Sequence, residues 1–174
     1  MRITDVQGKS IVTADTGEKL GRVEDLLLDS SHHTVVGLLV TDGLLARQRI
    51  VPFKELQTVG QDAIIVRTGA TTVDATEWLH EGHAAGRTRT LTEKEVVTGD
   101  GARIGTVQDV LVDDQSGEVV ALEVAAPQGR LRRAHRALVH VDHHVSFTND
   151  VVVIPDARIT VNLSETAADR APDE

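Results

Sequence analysis

The 174-residue chain has no cysteine and no tyrosine, and its aromatic rings other than histidine are Phe53, Trp78 and Phe147. Without cysteine there can be no disulfide scaffold, no thiol catalysis and no cysteine zinc site, although the compartment is left open. With so few aromatics the core must be built from Val, Leu, Ile and Ala. Abundant β-branched valine beside glycine favours strands, because such side chains pack well on a pleated surface. No apolar run approaches the roughly 20 residues that span a bilayer. The opening MRITDVQGKS lacks the apolar stretch of a signal peptide, so a cytoplasmic protein with no membrane span is expected. The net charge is −9, and no overall basic stripe is available to displace counterions from phosphates, so a nucleic-acid partner is not expected. One local exception is the cluster Arg130, Arg132, Arg133 and Arg136. G-x-S-x-G, P-loop, dinucleotide and H-E-x-x-H patterns are all missing. No catalytic residue and no cofactor is therefore expected.

What the chain does have is a duplication. At a shift of 84, residues 17–40 align without a gap on residues 101–124. The identical pairs are Gly17/Gly101, Gly21/Gly105, Val23/Val107, Asp25/Asp109, Leu27/Leu111, Asp29/Asp113, Val35/Val119, Val36/Val120, Leu38/Leu122 and Val40/Val124. A second echo, at a shift of 88, sets residues 61–66 against 149–154; the extra residues of the second copy fall within GRLRRAHR. Copy one is read as residues 1–68 and copy two as residues 89–162. Between them lies a linker, 69–88, in which residues 74–79 have the signature of a short helix capped by Asp74 with Glu77 three residues on. The polar stretch 163–174 is expected to be disordered. Two copies are too few for a solenoid, so each is read as a small closed or nearly closed unit. A unit of this size is marginal alone and gains from packing on its twin.

Within a copy the pattern is turn, strand, turn, strand. Gly21 and Gly105 start a strand where the backbone bends or another chain comes close. Val23 has the opposite parity to Leu26 and Leu28, and Val107 the opposite parity to Val110 and Val112. A β-bulge at 24–25 and at 108–109 reconciles them. Asp25 and Asp109 fall on it, where a carboxylate can accept hydrogen bonds from the freed backbone donors. Asp29 and Asp113 open the hairpin turns. On the return strand, alternation assigns Val36, Leu38, Val40 and Val120, Leu122, Val124 to the core. The opposite face carries Val119, Ala121 and Glu123 in copy two and is expected to reach water at Glu123. In copy one Leu39 replaces Glu123. With Leu44 and Leu45 in the next loop, it makes either an exposed apolar patch or a contact with the other copy.

One metal-site candidate stands out. If residues 140–144 form a strand, His140, Asp142 and His144 share a face, with Cα atoms of neighbouring ligands about 6.8 Å apart, and imidazole with carboxylate suits zinc or nickel. A solvated polar strand face, or a turn, explains the same residues. His80 with His83 is a weaker pair, and His32-His33 is read as a solvated hairpin tip.

The ordered motifs resemble the PRC-barrel family. Its opening is an aspartate-glycine turn, a basic residue, Ile or Leu, Gly, Val, a polar residue, Asp, three apolar residues and Asp. Residues 15–29 match it and residues 100–113 repeat it. Copy one continues with the family's basic-Val-Pro-aromatic run, as Arg49-Ile50-Val51-Pro52-Phe53, whereas copy two has His140-Val141 in place of Pro52-Phe53. The resemblance implies an all-β chain of two tandem, small, mostly antiparallel β-barrels with a short helical linker. The family includes the cytoplasmic domain of the photosynthetic reaction-centre H subunit and the C-terminal domain of a ribosome-maturation protein. Its members dock onto larger assemblies.

The expected function is a non-enzymatic protein-protein interaction or assembly module, with Leu39, Leu44, Leu45 and the arginines 130, 132 and 133 as its contact residues. Self-association is left open. A ribosome- or RNA-associated factor using residues 130–136, and a metal-binding protein using His140, Asp142 and His144, are the alternatives.

Overall fold

A computed structural model describes residues 1–29, 31, 33–43, 47–80, 86–125, 136–148 and 150–155. Copy one begins with a single helical turn, α1 (Ile3–Val6), and continues with strands β1 (Ser10–Thr13), β2 (Lys19–Asp29), β3 (Thr34–Thr41), β4 (Arg49–Pro52), β5 (Leu56–Val59) and β6 (Ala63–Val66). The segment between the copies supplies β7 (Val73–Asp74), the helix α2 (Ala75–His80) and β8 (Gly86–Arg87). Copy two follows with β9 (Glu95–Thr98), β10 (Arg103–Val112), β11 (Val119–Ala125), β12 (Arg136–His140), β13 (Ser146–Phe147) and β14 (Val151–Ile154). The chain is mostly β, and its sheets curl into half-barrels.

The first sheet runs β5-β6-β1-β2-β3-β4-β7, with β8 also beside β2; the second runs β12-β11-β10-β9-β14-β13. Reversed, the second order repeats the first from β5 to β4. In each copy the last strand pairs parallel with the first, β6 with β1 and β14 with β9, while the other pairings are antiparallel. The echo at a shift of 88 is thus the strand that closes each copy onto its own start.

The bulges inferred from side-chain parity are present. Register shifts between Val23 and Asp25 on β2 and between Val107 and Asp109 on β10. The glycines act as expected where chains approach closely. Gly21 has φ +143°, and a Cβ on it would lie 2.9 Å from the Thr41 carbonyl oxygen. A Cβ on Gly105 would lie 2.1 Å from the Ala125 oxygen. No side chain fits either gap.

Alternation along the return strands is corrected by a second bulge. Leu28 pairs with Val35 but Leu27 with Gly37, which leaves Val36 extra; Val112 pairs with Val119 but Leu111 with Ala121, which leaves Val120 extra. The face of a strand switches at such a point. Val35 and Val119 therefore enter the core at 1% and 4% exposure, while Val120, assigned to the core by alternation, is 42% exposed.

The copies pack as a pseudo-symmetric pair around one shared core, which contains Ile11, Leu26 and Val40 of copy one with Val96, Leu122 and Val152 of copy two. The hairpin tips pair reciprocally: the Val35 N–H donates to the Gly117 oxygen and the Val119 N–H to the His33 oxygen, each at 2.8 Å. His33 (φ +51°) and Gly117 (φ +78°) occupy equivalent places in the two tips. The His33 ring packs on Phe147 of copy two at 4.6 Å, and a Cβ on Gly117 would be 3.1 Å from the Phe53 ring of copy one.

The entry segments are exchanged. α1 of copy one lies against β10 of copy two: Val112 N–H donates to the Met1 oxygen at 2.8 Å, and Arg2 bridges Leu111. In return β8, which leads into copy two, pairs with Leu27 and Leu28 of copy one. Each bulge carboxylate is capped across this exchange. Asp109 Oδ2 accepts the Thr4 hydroxyl at 2.5 Å, and Asp109 Oδ1 accepts the Val110 N–H at 2.8 Å. Asp25 Oδ1 accepts the Thr88 hydroxyl at 2.7 Å and the N–H groups of Leu26 at 2.8 Å and Arg89 at 3.2 Å. Both aspartates are buried. They fasten the entry segment of the opposite copy to the bulge.

Asp29 and Asp113 cap their hairpin turns, with Asp29 accepting the Ser31 N–H at 2.9 Å. Asp113 accepts the N–H groups of Ser116 at 2.8 Å and Gln115 at 2.9 Å. Chiefly through the Ser116 bond, these hold its pKa below the usual 3.8. Hydrogen bonds to the charged form favour it. A depressed folded pKa contributes stability above the unfolded value and loses it as pH falls through the folded one. The carboxyl of Asp113 should therefore titrate below 3.8 by NMR, and Asp113→Asn should weaken the tip at neutral pH while flattening its loss of stability below about pH 4. A midpoint at or above 3.8 would contradict this.

Candidate docking face

The outer face of each half-barrel, away from the shared core, is formed by the middle of the long hairpin and the strand after it. In copy one this face carries Leu27, Leu39 and Ile50, and it is closed. The strand β7 pairs with β4, Ile50 opposite Val73 and Arg49 opposite Asp74. α2 then lays Trp78 on Leu27, Leu39 and Ile50, with Val36, Val73 and Ala75 packed at the margin. The helix starts where the sequence places it: the Asp74 carboxylate accepts the Thr76 N–H at 2.9 Å, and that backbone hydrogen bond is the main cause of its lowered pKa.

This closure overturns the expected exposed patch at Leu39. Leu39 is 2% exposed, covered neither by water nor by the other copy but by Trp78 from the segment read as a linker. Leu44 and Leu45 lie outside the described residues, as do Arg130, Arg132 and Arg133.

In copy two no strand or helix among the described residues takes the place of β7 and Trp78. Leu111 replaces Leu27 and Leu138 replaces Ile50. Both are partly exposed, whereas Leu27 and Ile50 are 7% and 2% exposed. Val120, the counterpart of Val36, is open to solvent. Among the described residues β12 is the edge of its sheet, and the side of an edge strand that faces away from its neighbour can pair with a further strand. Beside this apolar strip sits an ion-pair cluster. Glu123, which was expected to reach water, is 5% exposed. It accepts a short hydrogen bond from Arg2 and one from Arg136 at 2.6 Å. Arg2 also lies 3.8 Å from Asp109. Two guanidinium groups satisfy the buried carboxylate and keep their outer sides in water. The counterpart of Arg2 in copy one is Arg87, which donates to Glu24 and Gln48 at the margin of the covered face.

The histidine candidates are not gathered as on a strand face. β12 ends at His140, and residues 141–145 turn, with the Val145 N–H donating to the Asp142 oxygen at 3.0 Å. His140 and His144 consequently do not share a strand. Asp142, His143 and His144 do offer ligand atoms within 4.8 Å of one another. Asp142 Oδ1 already accepts the His144 N–H at 2.9 Å and lies 3.4 Å from His144 Nδ1. This is the ordinary geometry of an aspartate closing its own turn.

The fold and the face together define a class: two small β half-barrels fused through a common core, the first with its outer face sealed by β7 and α2. The PRC-barrel domain model matches residues 1–73 and 86–161, and the chain belongs to the PRC-barrel family as a tandem pair. The matches begin at the exchanged entry segments, so the family unit includes β8 and the turn after it. No curated protein matches the chain. Among the described residues no helix is long and apolar enough to cross a membrane.

Proposed function

We propose that the chain is a non-catalytic docking module that binds a protein partner through the outer face of its second copy. One observation supports this reading: the chain seals this surface in copy one with β7 and Trp78, whereas on the equivalent surface of copy two, among the described residues, Val120 is 42% exposed. A monomer that buries one of two equivalent apolar strips marks the other as a place for a partner. The sealed copy also states the chemistry that fits. The covering element is a short extended segment that pairs with a sheet edge, followed by a helical turn with an acidic residue and an apolar side. Strand addition to an exposed edge supplies affinity through main-chain hydrogen bonds, and side-chain pockets supply specificity. The cluster of Arg2 and Arg136 at the margin suits an acidic residue on the partner.

The RNA reading has less support, because the chain carries a net charge of −9 and Arg136 of the cluster is paired with Glu123. The metal reading has lost His140 as a strand-face ligand.

Val120→Glu is the test. An exposed position away from the core tolerates substitution within about 0.5 kcal/mol, so the variant should melt with the wild type. Crosslinked capture from native lysate should return a partner with the wild type and lose it, by tenfold or more, with Val120→Glu. A partner retained by both proteins would place the docking surface elsewhere.

A further inference from the structure

The turn after β12 carries three donor side chains that the fold itself does not require. At the shift of 88 that sets His140 on Pro52, the residues Lys54, Glu55 and Leu56 of copy one give way to Asp142, His143 and His144. Copy one turns at this place through the 3₁₀ segment Phe53–Glu55, with no side-chain cap. In copy two the backbone of the turn is pinned at both ends. The Val141 N–H donates to the Val120 oxygen at 3.0 Å, and Val141 packs against the shared core. Val145 is buried, and its N–H closes the turn on the Asp142 oxygen. Between these anchors Asp142 is partly buried and His143 and His144 are exposed, with ring centroids 3.8 Å apart.

We propose that Asp142, His143 and His144 form a surface site for a divalent transition metal, zinc above all. Their ligand atoms lie within 4.8 Å of one another. Zinc binds imidazole nitrogen and carboxylate oxygen at about 2.0–2.2 Å, which sets neighbouring donors of a tetrahedron about 3.4 Å apart. Asp142 Oδ1 and His144 Nδ1 already stand 3.4 Å apart, which is one edge of such a tetrahedron. Rotation of the exposed His143 ring about its own side-chain bonds brings in the third donor. Asp142 Oδ1 also accepts the His144 N–H at 2.9 Å. That bond is compatible with ligation, because a carboxylate has about four lone-pair sites, and it orients the carboxylate as an outer-shell partner does. The conformation that closes the turn is therefore the one that presents the ligand. Two imidazoles with one carboxylate favour zinc, nickel or copper over magnesium and calcium, which take oxygen ligands. Three protein donors leave a fourth position to water, so the metal should exchange readily. His140, on β12, takes no part. Zinc binding does not depend on the docking function proposed above.

Calorimetric titration of zinc chloride into the untagged full chain tests the site. The wild type should saturate with a single equivalent. His143→Ala and His144→Ala should each weaken binding by tenfold or more, since loss of even an outer-shell partner costs about 10–100-fold in affinity. Asp142→Asn keeps a side chain suited to closing the turn, so it should weaken zinc binding while the metal-free chain melts with the wild type. His140→Ala should bind as the wild type does, and magnesium chloride should give no saturable heat. A ligand of the folded state stabilises it. Zinc should accordingly raise the Tm of the wild type and leave that of the double variant His143→Ala, His144→Ala where it is. No saturable binding of zinc, binding that survives the double substitution, or binding lost with His140→Ala would overturn the proposal.

Discussion

Leu39→Glu is expected to destabilise the chain by about 4 kcal/mol and to abolish its cooperative folding at elevated temperature. Removing a fully packed leucine costs about 2–5 kcal/mol, and an unpaired carboxylate left under Trp78 adds a desolvation penalty. Arg87, the counterpart of Arg2, is engaged by Glu24 and Gln48 instead. Against a typical domain stability of about 5–15 kcal/mol, the loss is severe. Urea denaturation read by Trp78, the sole tryptophan, follows the covered face directly. A midpoint unchanged from the wild type would mean that Leu39 is free and that the face of copy one is open. The contrast with Val120→Glu is the useful part. Related hairpins carry the same substitution with opposite expected outcomes, one a loss of folding and one a loss of binding.

Asp109→Ala should cost about 3 kcal/mol. The carboxylate satisfies the Val110 N–H freed by the bulge and the Thr4 hydroxyl of the exchanged entry segment. Leaving buried donors without acceptors costs about 1–3 kcal/mol each, and Arg2 keeps only Glu123. Thr4→Val should cost less, about 1 kcal/mol, because it removes a single bond. In the double variant the two effects should fall short of their sum, since residues in one hydrogen-bonded network couple by about 0.5–3 kcal/mol. Simple additivity would show that α1 does not clasp copy two. Asp25→Ala should behave in the same way through Thr88 and Arg89. A role in catalysis would instead leave folding intact.

The elements that could be read from sequence are those whose pattern breaks locally. The bulge at Asp25 and Asp109 was visible because Val23 and Val107 have the wrong parity for the leucines and valines that follow. The close approach at Gly21 and Gly105 and the cap at Asp74 were visible for the same reason: each concerns neighbouring residues. The second bulge left no such trace. Val35 and Val36 are both apolar, as are Val119 and Val120, so a slip between them changes no letter of the pattern. Long-range partners were hidden altogether. Glu123 looked solvated because Arg2 lies 121 residues away, and Leu39 looked exposed because Trp78 sits in a segment with the composition of a linker. The exchange of entry segments was obscured by divergence: Arg2 and Arg87 align only at a shift of 85, with Ile3 against Thr88 and Val6 against Leu91.

The docking face is tested most directly by photocrosslinking from two equivalent positions. A photoreactive residue at position 120, and in a parallel sample at position 36, would be activated in native lysate. Position 36 lies at the margin of the surface sealed by α2, and position 120 on its open counterpart. Adducts with one discrete partner from position 120, and none from position 36, are the predicted result. Equal yields from both positions, or no adduct from position 120, would contradict the assignment of the second copy's outer face as the docking surface.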